Sequence, residues 1–272
     1  MAGIACVMGL AVPAMAQDTK APAAAQPAEG LPEFKEIQAR FIEALGGEDA
    51  LRNVTSRTSK ANFDIPAQNM KGTVVSFQKN DAMFAEMELA GMKMESGYAD
   101  GVVWQRNPMA GPMLIEGPER EEMIKEADLQ SELDLGKYFS SMQVTGTADV
   151  DGKKAYKVEM TPIRGEKHTR FYDAESGLLV KIEAVRDMQG SKVPTTTRLL
   201  DYRQVDGVKI PFKMVQTMMN IESSMVIESL EINKDIAEDK LSLPADIKAL
   251  VEKKKSGGEP KPEAPKPDAP KK

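Results

Sequence analysis

Hydrophobic and polar residues alternate with a period of two along most of this chain, and short turn sequences cut the alternation. From Thr58 onward the runs Gly72 to Lys79, Met83 to Leu89, Met92 to Ala99, Val102 to Arg106 and Met113 to Glu116 read as strands. Strands resume after Met142 with Lys153 to Thr161, Lys167 to Asp173, Leu178 to Arg186, Thr195 to Val205, Val208 to Asn220 and Ser223 to Asn233. The dipeptides Asp100-Gly101, Asp151-Gly152 and Asp206-Gly207 each stand between two such runs. A tight hairpin turn whose twist matches its strands needs φ > 0, which Gly tolerates freely and Asp better than most residues. Each dipeptide therefore predicts an antiparallel hairpin. A calcium loop is the alternative for Asp149-Val150-Asp151-Gly152, but Val158 occupies the position where that loop needs a bidentate Glu. Further turns are expected at Glu175-Ser176-Gly177 and Gln189-Gly190. The fold class is mostly β (α+β), a long meander forming one large, curved antiparallel sheet.

The period changes to that of a helix in two places. Phe34, Ile37, Phe41 and Leu45 recur on one helical face between Pro32 and Gly46-Gly47, which predicts an amphipathic helix from about Glu33 to Leu45 that lies on the sheet. Ala50, Leu51 and Val54 suggest one more short turn of helix. Pro118 and the acids Glu119, Glu121 and Glu122 favour a helix start, and Met123, Ile124 and Ala127 follow on one side, which extends that helix to about Gln130. Leu133, Leu135, Tyr138 and Phe139 then make an apolar segment without clear period. The stretch Glu119 to Phe139 interrupts the strands, and such insertions act either as lids or as plain covering helices.

The two ends of the chain differ from its middle. Met1 to Ala16 is an uncharged apolar run ending in Ala14-Met15-Ala16, which reads as a secretory signal with an A-x-A cleavage site. It is too short for a bilayer core, which takes about 20 apolar residues. An uncleaved anchor is the alternative, and Cys6 could suggest lipid modification, although most of the apolar run follows it. If cleavage follows Ala16, the remaining chain has no cysteine, so disulfides, thiol chemistry and Cys-bound metal are excluded. Residues 17–32 are Ala/Pro-rich and read as a disordered linker, residues 33–252 as one β domain, and residues 253–272 as an extended Lys/Pro tail. That tail carries seven Lys and three acids, or +4, so −10 of the overall −6 lies on the rest. An acidic body argues against nucleic acid as a partner. The basic tail either touches anionic surfaces or simply solubilises the chain.

Methionine is abundant at period-two positions. Of 18 methionines, 15 lie beyond the signal. Met83, Met87 and Leu89 share one strand face, and Met92 and Met94 share another. Val208, Ile210, Phe212, Met214 and Met218 point together in the long hairpin, as do Tyr156, Val158 and Met160 after Asp151-Gly152. Unbranched, polarisable Met fills irregular space and repacks around varied guests, so these positions are candidates to line an apolar cavity. Ordinary core packing is the competing explanation for each of them. Trp104, the sole tryptophan, is a candidate for the cavity mouth or for a core anchor.

Signals for catalysis are few. His168 is the only histidine, without a second His or a Cys to complete a zinc site or a nucleophile–base pair, and is expected as a surface or sheet residue. No nucleophile elbow, P-loop or dinucleotide fingerprint is present, so neither enzyme activity nor a cofactor or metal is expected. Glu86, Glu88, Glu159, Glu183 and Glu231 alternate with apolar residues as solvent-facing positions do.

Four segments carry a family likeness: Arg170 to Leu179 (RFYDAESGLL), Asp201 to Phe212 (DYRQVDGVKIPF), Gly101 to Trp104 (GVVW) and Leu241 to Pro244 (LSLP). Together they resemble the outer-membrane lipoprotein-sorting (LolA-like) family over most of Leu31 to Pro244. The resemblance implies an exported, periplasmic domain shaped as an unclosed β-barrel, with helices covering its concave face and an apolar space that shelters acyl chains. Its expected partners are an acyl-chain lipid or lipoprotein cargo and envelope proteins as donor or acceptor. Two other readings stay open: an envelope sensor or adaptor that binds a peptide or protein by exposed strand edges, and a hydrolase using carboxylates.

Overall fold

The computed structural model describes residues 30–188 and 191–256. The expected signal, nearly all of the linker, most of the tail and the turn at Gln189-Gly190 lie outside these residues. Thirteen antiparallel strands form one sheet: β1 (Ser56–Ile65), β2 (Met70–Lys79), β3 (Ala82–Leu89), β4 (Met92–Ala99), β5 (Val102–Asn107), β6 (Gly111–Leu114), β7 (Phe139–Val150), β8 (Lys153–Pro162), β9 (His168–Asp173), β10 (Leu179–Met188), β11 (Ser191–Val205), β12 (Val208–Met218) and β13 (Ile221–Ile232). Their order is β6-β5-β4-β3-β2-β1-β13-β12-β11-β10-β9-β8-β7, so the sheet is a meander joined through its first and last strands, with β6 and β7 as open edges. Four helices accompany it: α1 (Phe34–Leu45), α2 (Glu48–Arg52), α3 (Gly117–Ala127) and α4 (Ala245–Lys255).

The Asp-Gly turns form as their chemistry requires. Asp100, Asp151 and Asp206 have φ of 51°, 52° and 46°, and the following glycines 76°, 80° and 85°, the pair of left-handed residues that a two-residue hairpin loop needs. The sheet must curl strongly. β3 and β7 are nine positions apart, about 40 Å along a flat sheet, yet Met87 of β3 and Phe139 of β7 belong to one buried cluster. Register shifts at Lys60/Ala61, Leu179/Lys181 and twice in β7 supply local bends.

The helix α1 lies on the inner face. Its stripe of Ile37, Phe41 and Leu45 is buried, and Phe41 meets Tyr172 of β9 edge to face with centroids 5.3 Å apart. Two of the family-like segments hold this helix. In the turn after β9 the Asp173 carboxylate accepts from Ser176 N and Oγ at 2.6 and 2.7 Å, and Arg40 of α1 donates to Ala174 O at 2.8 Å. At the other end Gly46 has φ 124°, and a Cβ there would stand 2.1 Å from Gly207 O in the β11–β12 turn, so only glycine permits the contact.

Several elements differ from the sequence reading. The edge strand β7 starts at Phe139, inside the apolar segment left without a period, because its two register shifts break the alternation. β12 ends at Met218, and Met219-Asn220 form a left-handed turn (φ 51° and 62°) without any glycine. α3 stops at Ala127, three residues early. α4 was not foreseen and runs to Lys255, past the point where the tail was expected to start.

Candidate functional site

Beside α1 on the inner face, α3 and the loop that follows it roof a cavity of about 550 Å³. α3 is fixed at both ends: Arg120 donates to Gly101 O at 3.1 Å, and Gln78 of β2 donates to Glu126 O at 2.7 Å. On the sheet side of the helix Met123 and Ala127 pack on Met83, Val103 and Ile115. The floor is sheet. Phe63, Met87, Leu179, Ile182, Met214 and Met225 present apolar surface from β1, β3, β10, β12 and β13. Exposed Lys137, Ile163 and Arg164 mark where the cavity meets solvent.

Another part of the wall is charged. Arg170 of β9 is 2% exposed and lies between Val158 and Ile182 on the neighbouring strands. Its Nη1 donates to Glu132 Oε2 at 2.8 Å and to the Tyr172 hydroxyl at 3.4 Å. Burial alone would raise the Glu132 carboxyl, but the guanidinium and Lys125 overcome it and hold the group at about 2; the same pairing raises Arg170 despite its burial. Phe139 sits at the centre of the cluster. Lys125 Nζ stands 5.1 Å and Arg170 Cζ 5.4 Å from its ring centroid, and the His168 imidazole meets it edge on at 5.4 Å. Burial, with Arg170 and Lys125 nearby, lowers His168 to about 3, so the ring is neutral near pH 7. Burial also raises Glu126 to about 7 and lowers Lys125. Both side chains are only half-buried by area, and both line the cavity.

Of the positions expected to line a cavity, Met87 and Met214 do so. Val158, Met160, Ile210 and Phe212 are buried in the main core, and Tyr156 and Met94 pack against it, where the stripe of α1 occupies the inner face. Met83 shares the face of Met87 but is covered by α3. Met92 is 41% exposed and Met218 half-buried at the end of its strand. Trp104 lies elsewhere. Alternation puts it on the face opposite Val103, where it packs under α4 with Leu243 and Ile247. Gly97 makes room for it, since a Cβ there would stand 2.8 Å from the indole.

The charged residues Lys125, Glu126, Glu132 and Arg170 were missed. One signal for them existed: Arg170 and His168 share strand parity with Tyr172, so an inward Tyr implied an inward Arg and His. Among the described residues no group of three or more His, Cys, Asp or Glu could hold a metal ion, and no helix is long and apolar enough to cross a membrane.

An open antiparallel sheet curled around a helix and a partly apolar cavity defines the class of fold. Two solved structures share it. A DUF1329 family protein from Desulfovibrio piger matches with a TM-score of 0.53 and 13% identity, over 76% of this chain and 96% of that one. A LolA superfamily protein from Nitrosomonas europaea matches with a TM-score of 0.51 and 14% identity, over 78% and 99%. The likeness to the lipoprotein-sorting family read from the turn segments is thus borne out as a likeness of fold. No family model matches the chain, and no curated protein matches its sequence.

Proposed function

We propose that this protein is a periplasmic carrier that shelters the acyl chains of a lipid or lipoprotein in the cavity beneath α3, and that it works without catalysis. The observation that supports this reading is an apolar floor of Met87, Leu179, Met214 and Met225 facing about 550 Å³ that the protein's own side chains leave unfilled. That volume falls within the roughly 300–1,000 Å³ typical of sites for one small ligand. Each methylene removed from water contributes about 0.8 kcal/mol, so burial alone drives loading. Thioethers on the floor adapt to chains of different shape better than branched side chains do.

The test is native mass spectrometry of protein purified from an envelope extract without detergent, repeated with Ala184→Trp. Ala184 lines the cavity and is not fully buried, so the indole fills the space without displacing core atoms. Co-purifying acyl species in the wild type and their loss in the variant are expected. Protein that is empty in both forms contradicts the proposal.

A further inference from the structure

The charged wall of the cavity is unusual for a site that would hold only hydrocarbon. Five cations (Lys125, Lys137, Arg164, Arg170 and Arg186) face four carboxylates (Glu121, Glu122, Glu126 and Glu132). Most of these charges are matched: Arg170 with Glu132 at 2.8 Å, Arg164 with Glu121 at 3.3 Å, and Arg186 with Glu122 at 3.6 Å. Two donors are not. The Arg170 Nε–H is buried with no hydrogen-bond partner among the described residues, and a buried guanidinium N–H left unpaired is costly. Among the same residues Lys125 Nζ makes no ion pair within 4.0 Å and stands over the Phe139 ring instead. Both groups adjoin that one ring and line the same cavity as Met87, Met214 and Met225.

We propose that the cavity takes a single-chain amphiphile with an anionic head group, its carboxylate or phosphate oxygens accepting from Arg170 Nε and Lys125 Nζ while the chain lies along Met87, Met214 and Met225. This names the class of ligand for the carrier reading above and rests on it. An anionic oxygen here satisfies the orphaned donor and relieves the mutual repulsion of two neighbouring cations, which charge-assisted hydrogen bonds do more strongly than neutral ones. Glu126 offsets it only in part: raised to about 7 by burial, this carboxyl is half-protonated near neutrality. Glu132 is already neutralised by Arg170.

The experiment compares three ligands with one chain length, palmitate, hexadecyl phosphate and hexadecanol, by calorimetric titration of the whole chain. The expected result is that one or both anions bind about tenfold or more tighter than the alcohol. A preference for palmitate points to free fatty acid and one for the phosphate to a phospholipid source. Lys125→Gln brings the ratio close to one, and Lys125→Arg, which keeps the charge, restores it. Equal binding of all three by the wild type overturns the head-group site and leaves the carrier reading standing. Binding of none overturns both.

Discussion

The helices α3 and α4 cover opposite faces of the same end of the sheet, and they do so in different ways. α4 makes a dry seam. Ile247 is fully buried against Trp104 with Leu243, and its charges stay at the rim, where Asp246 holds Arg106 through two hydrogen bonds of 3.0 and 2.6 Å. α3 buries Met123 and Ala127, and turns Glu122, Lys125 and Glu126 toward a cavity. A helix that served only to cover the sheet would resemble α4. The difference teaches that the packed seam under α4 and the cavity under α3 lie on separate faces at this end of the sheet, so each can be perturbed alone.

Substitutions under the two helices sharpen that contrast. Trp104→Ala empties a fully packed site and should cost about 3–5 kcal/mol in denaturant unfolding, while acyl uptake by the folded fraction stays unchanged. Arg170→Met breaks the buried Arg170–Glu132 ion pair, also a loss of about 3–5 kcal/mol, and Arg170→Met with Glu132→Leu should recover most of it. Recovery of stability without recovery of anion preference would separate the two roles of Arg170.

A smaller effect is read from pH. His168 is held at about 3 against an ordinary 6.5, so the unfolded chain binds its proton first and stability falls as pH drops through that window. Glu132, held at about 2 against 4.5, adds a further loss below pH 4.5. Glu126, raised from 4.5 to about 7, acts in the opposite sense and lowers stability as pH rises between those values. Melting temperatures across pH 4.5 to 7 should therefore fall less steeply on acidification in His168→Gln than in the wild type. The smallest change is expected from Arg106→Ala at the α4 rim, where the Asp246 carboxylate is 41% exposed: about 1 kcal/mol or less, without effect on binding.

The fold was legible where a single residue's chemistry dictates geometry. Asp-Gly pairs announce left-handed turns, and the stripe from Phe34 to Leu45 closed by Gly46-Gly47 announces α1. α4 was hidden because its sequence, ADIKALVEKKK, buries one residue fully and merges in composition with the Lys-rich tail. Of the period-two methionines, Met87, Met160 and Met214 fall on the inward face, but alternation cannot say whether a helix or empty space stands above a given position. Trp104 shows a related gap: its strand was right, but which face α4 would cover was not written locally. The charged wall depends on Glu132, in a segment without a period, meeting Arg170 thirty-eight residues later. That contact is long-range and leaves no local pattern.

The most direct measurement is an NMR titration of methyl-labelled methionines with a sixteen-carbon fatty acid. Loading of the cavity predicts shifts at Met87, Met214 and Met225, with Met109 and Met92, both solvent-exposed, and Met83, sealed beneath α3, left in place. Shifts confined to the exposed methyls, or none at saturation, would contradict the account.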